Sequence, residues 1–516
     1  MKNKKLLIIG LVALVLVAAV VGLVWFMSQY TMVDLKFYPK DAEFLDLREE
    51  EITPEHYDAL QEQLPDCKIR WNVPFQESYQ DSGIMKLTVD HLTEEDLNRF
   101  KYFEELVVLH AEDCKEYALL LQLRNRYPEL DVRYNIPING QLYAQDATSI
   151  QVTALSEEEL ALLPCLTELD TAIVEAGGGE NIAALQTYCN ENGLTFCISV
   201  GNAILPEDAE EVRIENITEQ ELALLSYLPK LKTVHFMEPE ASSEAVMAYQ
   251  AANSDKKVTW EKTVCGYLCD NDTEEVDFTE YTITSIEEVE TGLSYFPNVK
   301  NVFLGEPGVD NEEVAAYRER NRENYKVVWV VDLSGKMKVR TDIDNFMPSR
   351  DGWGYVRDGE IDNIRYCEEI MCMDIGHMGV KDVSFLETLV NLEYLILAHT
   401  EVQYIDAIRN CKKLKFLELD WSCIRDLSPL VECTALEDLN IGNTWPDITP
   451  VLEMTWLKNL YMIFGSGGDA WRASQALPDT RVVATGTATV ASGWRNLPNY
   501  YAMRDALGMY YMSDGY

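Results

Sequence analysis

The chain has 516 residues, 47% apolar and 25% charged, with 87 acids against 43 bases and a formal net charge of −44. That apolar content excludes a disordered chain, and the length predicts roughly three domains or one long repeat array. So acidic a surface repels phosphate backbones and excludes nucleic-acid binding as the default, leaving solubility or a basic partner to explain the charge.

Leu6 to Met27 form 22 residues without a charge. At the helical rise they reach about 33 Å, enough for the hydrocarbon core of a bilayer. Trp25, Phe26 and Tyr30 suit the outer interface, and Lys2, Lys4 and Lys5 the cytoplasmic side. The run is longer than a signal-peptide core and ends in Trp25-Phe26-Met27 rather than in small residues. An uncleaved single-pass anchor is expected over residues 1–27, followed by a juxtamembrane linker over 28–41. The C-terminal bulk is then expected outside the cell membrane.

Residues 42–340 repeat. Trp71, Tyr134, Cys197 and Trp260 stand 63 apart, and Trp329 follows after 69. A second marker keeps step: LTEEDL from Leu92, LSEEEL from Leu155, ITEQEL from Ile217, and a looser form from Ile283. A Ser or Thr followed by acids is a helix N-cap with negative charge on the first turn, so these acids are expected to cap rather than catalyse. Each unit divides into about three strand-plus-helix coils. Asn139-Gly140 and Ser334-Gly335 sit where a hairpin would turn. The first unit lacks its leading third, as suits the end of an array.

Residues 341–363, with Pro348, Gly352, Gly354 and Gly359 among charges, are expected to form an irregular connector. A stricter period occupies 364–482. Leu392, Leu395 and Leu397 return as Leu414, Leu417 and Leu419, then as Leu436, Leu439 and Ile441, at a step of 22. Ile370, Met373 and Ile375 precede them, and Leu457, Leu460 and Met462 follow after 21. Alternate strand residues point oppositely, so these leucines face inward and stack on those of neighbouring coils. Cys367, Leu389, Cys411 and Cys433 share one phase, which predicts buried thiols rather than disulfides.

In LEYLILAHTEVQYIDAI, LKFLELDWSCIRDLSPL and LEDLNIGNTWPDITPVL the chain resembles bacterial leucine-rich repeat proteins, the internalin-like subset in particular. The resemblance is specific over 370–464 and looser over 42–335. It implies an α/β fold, a right-handed leucine-rich-repeat solenoid with its parallel sheet on the concave face. One departure is plain: the usual asparagine after the strand is Thr400, Ser422 and Thr444. The segment 483–516, rich in Tyr, Met and Trp, is expected to close the array as a C-terminal cap.

The resemblance places the residues between and just after the inward leucines on the concave surface. Just past each strand stand His377, His399, Trp421, Asn443 and Phe464. Neighbouring columns hold Tyr394 and Phe416, then Asp374, Glu418, Asn440 and Tyr461. Aromatics among acids can make a recognition surface, with Trp421 as its anchor; the plainer alternative is that some rings pack on adjacent coils. Stacked His377 and His399 would make binding pH-sensitive. The ligand-binding candidates are therefore Tyr394, Phe416, Trp421, His377, His399, Glu418 and Tyr461.

Several apparent motifs carry little. Cys265 and Cys269 have no His or second Cys pair beside them, so no metal is expected. Ser254-Asp255-Lys256-Lys257 lacks the companion motifs of penicillin-binding enzymes, and Leu477-Pro478-Asp479-Thr480-Arg481 lacks the glycine and the tail of a sortase signal. The glycine runs at 177–179 and 465–468 lack a P-loop lysine. No catalytic residue and no cofactor is expected. The expected function is a non-enzymatic cell-surface module that binds a protein or peptide. An envelope scaffold is the alternative, and a cell-wall glycan hydrolase using two carboxylates a remoter one.

Overall fold

The computed structural model describes residues 2–177 and 179–509. They fall into two compact units, Met1–Thr233 and Val234–Tyr516.

The first unit opens with the helix Lys2–Gln29, whose apolar side chains from Ile8 onward are exposed almost throughout. The expectation on Lys2, Lys4 and Lys5 concerns side chains outside the described residues. The stretch expected to be a linker is instead a β-hairpin, Tyr30–Val33 paired antiparallel with Lys36–Pro39. Phe26 of the helix stacks on Tyr30 at 4.6 Å and meets Phe37 edge-on at 5.0 Å, so the helix end is packed onto the hairpin.

Three blocks follow, and each repeats one plan. The fullest runs Ser149–Val152, Thr171–Val174 and Thr195–Val200 as parallel strands, then returns as the antiparallel strand Ala203–Pro206. The block before it has the parallel strands Lys86–Thr88, Val108–His110 and Asp131–Arg133 and the hairpin Asn135–Ile138/Gln141–Ala144. The first has two parallel strands, Phe44–Asp46 and Lys68–Arg70, matching the missing third. Asn139 and Gly140 both take positive φ, 51° and 74°, as a tight hairpin turn requires. The repeated acids cap. Thr93 with Asp96, Ser156 with Glu159 and Thr218 with Glu221 form reciprocal capping boxes. Glu159 also accepts the Asn139 N–H at 2.7 Å and Glu221 that of Gly201 at 2.9 Å, so one carboxylate fixes both a helix start and a hairpin tip. The markers Trp71, Tyr134 and Cys197 are buried.

The second unit continues the plan. Glu275–Asp277, Asn301–Phe303 and Lys326–Val328 are parallel, and the hairpin Val330–Leu333/Met337–Arg340 turns at Ser334-Gly335 with positive φ. Buried Trp260 donates to the Tyr295 carbonyl at 2.9 Å, and buried Trp329 donates to Asn311 Oδ1 at 2.9 Å. A seven-stranded sheet follows with its strands in sequence order: Asn345–Phe346, Cys372–Asp374, Tyr394–Ile396, Phe416–Glu418, Asp438–Asn440, Asn459–Tyr461 and Arg481–Val483. Every pair is parallel. The supposed connector therefore supplies the first strand. Met373, Leu395, Leu417, Leu439 and Leu460 are mutual partners across the ladder, and all are fully buried. Short 3-10 helices return the chain, from Asp362–Tyr366 to Thr449–Glu453. This is a leucine-rich-repeat-like solenoid with a parallel sheet.

All twelve cysteines are free. Cys367, Cys411 and Cys433 are fully buried in one column with Leu389. The Cys433 thiol donates to the Ile408 carbonyl at 3.3 Å and the Cys411 thiol to the Leu386 carbonyl at 3.6 Å. A small apolar side chain with a weak donor fits a site that faces backbone oxygen.

The C-terminal segment departs from the expectation of an end cap. Its described part lies over the outward face of the seven-stranded sheet. Trp494 stacks on Phe416 at 4.5 Å and meets Tyr461 edge-on at 5.1 Å. The helix Pro498–Ala506 brings Met503 and Leu507 into one buried cluster with Met347, Cys372, Ile396 and Phe416. Strand alternation explains this. Residues flanking each inward leucine point outward, and in these coils they include Cys372, Tyr394, Ile396, Phe416 and Tyr461. Left bare they would form a contiguous apolar patch, and covering each large side chain is worth about 1.5–3 kcal/mol before entropy. Residues 510–516 of the expected cap lie outside the described residues.

A candidate binding surface along the strand ends

Three residues past each of the five strands from Cys372–Asp374 to Asn459–Tyr461 the backbone turns left-handed. His377, His399, Trp421, Asn443 and Phe464 have φ of 60°, 55°, 57°, 54° and 60°. The turn adds a rung to the ladder: the N–H of His377 reaches the Ala398 carbonyl at 2.8 Å, that of His399 the Asp420 carbonyl at 2.8 Å, and that of Trp421 the Gly442 carbonyl at 3.0 Å. Side chains in this column therefore repeat at the spacing of the strands. His377 and His399 stack at 4.4 Å with their planes 15° apart, and His399 and Trp421 at 5.7 Å and 14°. All three rings are exposed, Trp421 to 53%.

That conformation costs an L-residue about 1–2 kcal/mol relative to ordinary helical geometry, and glycine or asparagine takes it most cheaply. Only Asn443 follows the preference. Imidazole, indole and phenyl side chains occupy the other four positions and point to solvent. Trp445, also left-handed at 49° and 58% exposed, extends the row, its indole N–H donating to the Phe464 carbonyl at 2.7 Å. Sequence reasoning missed Trp445 because it falls outside the column.

The other candidates divide. Tyr394 is half-buried, with Lys415 Nζ 6.0 Å from its ring centre. Phe416, Glu418 and Tyr461 are not open to solvent as expected, because the C-terminal segment covers them. Burial pushes Glu418 up to about 7, with Asp420 and Asp374 adding to the effect and Trp494 and Arg495 opposing it. Burial likewise raises Asp374, Asp420 and Asp438 above the usual carboxylate range. Asp420 accepts from Asn443 and from Thr489, each at 3.2 Å. Asp438 accepts from Asn459 at 2.7 Å and Asn499 at 2.9 Å. His399 is lowered, first by burial and then by His377 beside it, against the pull of Asp420. Both effects favour the neutral form of His399.

Among the described residues no group of three or more His, Cys, Asp or Glu side chains is placed to hold a metal ion. Gly178 of the triple-glycine run lies outside the described residues. No protein-family model matches the chain, and no curated protein sequence does. Among solved structures it is similar to internalin C2 of Listeria monocytogenes (18% identity over 41% of this chain and 80% of that one, TM-score 0.22). A second Listeria monocytogenes internalin matches at 12% over 88% and 91%, with a TM-score of 0.24. A leucine-rich repeat protein of Leptospira interrogans matches at 11% over 76% and 93%, with a TM-score of 0.21. Scores this low carry no argument; the repeat stands on its own strand register.

Proposed function

We propose that the chain is a non-enzymatic binding module, tethered to the cell membrane by its N-terminal helix with the bulk outside, that recognises a protein or peptide partner through the ring ladder His377–His399–Trp421. What supports the reading is the backbone beneath the rings. Four ring-bearing residues stand where the local geometry favours glycine, and their side chains contribute little to the core. Strain retained at an exposed row of this kind is evidence of use. Indole and imidazole offer broad contact area with a polar edge, the usual makeup of an interface anchor. The net charge of −44 favours a partner with a basic face and speeds its approach.

The test is a photo-crosslinking amino acid placed at position 421 in the full chain, in its own cells, with position 387 as the exposed control on the returning side. A discrete protein adduct at 421 and none at 387 is the expected result. Equal labelling at both, or none at 421, would overturn the assignment. Resistance of the chain to alkaline extraction from membranes separates a retained anchor from a cleaved secretion signal.

A further inference from the structure

We propose that the outward face of the seven-stranded sheet is a second binding site, for a peptide segment of a protein partner that inserts an aromatic side chain between Phe416 and Tyr461, and that residues 486–509 occupy this site in cis as a tethered stand-in. The proposal rests on the preceding reading only for the class of partner; its residues and its test are separate.

The first observation is the makeup of the covered face. A permanent core is apolar or has its polar atoms paired, with more than about 90% of buried groups satisfied. Here Glu418, Asp438 and Asn440 lie within the covered face, and Asn440 is fully buried. Asn440 Nδ2 has no hydrogen-bond partner, whereas the Trp494 indole interacts with the Glu418 carboxylate. The unsatisfied amide stands at the contact between the sheet and its cover. A surface that keeps carboxylates and an unpaired amide beneath its cover is built to exchange that cover.

The second observation is how the segment is attached. Val483 ends the last strand, and Trp494 begins the covering helical turns. Between them run Ala484-Thr485-Gly486-Thr487-Ala488-Thr489-Val490-Ala491-Ser492-Gly493, ten residues with no helix or strand and no charge. Gly493 takes a φ of 92°, open to glycine and poorly to others, just before the anchor. Small residues around a left-handed glycine form a hinge.

The third is the grip. Polar attachment is by scattered single bonds: Asn499 donates to Glu437 at 3.1 Å and Asp438 at 2.9 Å, Thr489 to Asp420 at 3.2 Å, Tyr461 to the Ser492 carbonyl at 3.4 Å and the Cys372 thiol to the Met503 carbonyl at 3.8 Å, while Arg350 reaches the Leu507 carbonyl. The rest is apolar: Trp494, Leu497, Met503 and Leu507 are buried, and Tyr500, Ala506 and Met509 pack beside them. A partner that supplied an indole together with donors for Glu418, Asp438 and the neighbouring acids would match it group for group. The chemistry defines the ligand as a peptide carrying an aromatic residue with amide or basic neighbours.

The experiment uses the full chain in detergent and, as probe, a labelled synthetic peptide of residues 485–509. Asn499→Asp sets a third carboxylate against Glu437 and Asp438 and loosens the segment without opening a cavity; Trp494→Ala is the second variant. Hydrogen exchange should show amides 494–507 opening independently of strands 416–418 and 438–440 in the wild-type chain, and at least tenfold faster in Asn499→Asp. The variant chain should then bind the probe saturably and at least tenfold more tightly than wild type, and a probe carrying alanine at the Trp494 position should not bind. Exchange of the segment only together with the strands would overturn the proposal. So would a released segment that leaves probe affinity at the wild-type level. Loss of the crosslink at 421 would sink the ladder reading alone and leave this test intact.

Discussion

Glu418 makes the stability of the sheet and its cover depend on pH, and the sign follows from its burial. Its carboxyl is held at about 7 in the folded chain, against an ordinary value of 4.5. A raised folded value means that the native state prefers the protonated form. The contribution is complete below about pH 4.5, falls as pH rises toward 7, and is flat above. At 1.36 kcal/mol per unit the swing is about 2–3 kcal/mol, a small discount being due for the 8% of the residue left exposed. The surroundings are mixed. Asp420 two residues on and Asp374 two strands away reinforce the rise; Arg495 and Trp494 of the covering segment oppose it; Tyr500 packs on Phe416 nearby. Asp374, Asp420 and Asp438, all raised, shift stability in the same direction, and the lowered His399 acts in reverse below its unfolded value. Glu418→Gln keeps the shape and removes one titration, so the difference between variant and parent isolates it. Urea unfolding of both full chains at pH 5 and pH 8 should show the variant gaining about 2–3 kcal/mol on the parent between the two. Parallel pH profiles would refute the claim that burial under the cover raises this carboxyl.

Leu417→Ala removes a fully buried side chain from the middle of the ladder and should cost about 2–5 kcal/mol in the first unfolding transition; a shift indistinguishable from zero would contradict the register. Native chain treated with a small alkylating reagent should be modified at exposed Cys423 and not at Cys367, Cys411 or Cys433, whose thiols burial lifts to about 12, 12 and 11; mass spectrometry of the digest reads this directly. Trp421→Gly should leave stability within about 1 kcal/mol of the parent, because relief of the left-handed backbone offsets the lost stacking. A larger loss on thermal unfolding would mean that the ring serves the fold.

The leucine ladder was legible because a 22-residue step puts Leu395, Leu417 and Leu439 on one side of adjoining strands whatever surrounds them. The capping acids were legible because a Ser or Thr three residues ahead of Asp or Glu has one good local use. The cover was not. Alternation says that Phe416 and Tyr461 point away from the leucines; it does not say what lies above them, and a segment joined through ten small uncharged residues can reach the side of an array as easily as its end. The first hairpin escaped notice because Asp34 and Leu35, at φ of 48° and 66°, take the turn in place of Asn-Gly. The column of rings was legible but its left-handed backbone was not, for the same reason: His and Trp are not the residues that geometry selects, which is what makes them informative once seen.

Each block of the first unit ends in a strand that runs against its neighbours, as Ala203–Pro206 does beside Thr195–Val200. Such a strand closes its own block, and one tie to the next is a carboxylate at the hairpin tip, as Glu159 takes the Asn139 N–H. Copies can be added or dropped in whole steps without disturbing how the remaining ones are threaded, a freedom that the unbroken ladder of the second unit does not have. The number of blocks can thus change while the strand register inside each stays as it is.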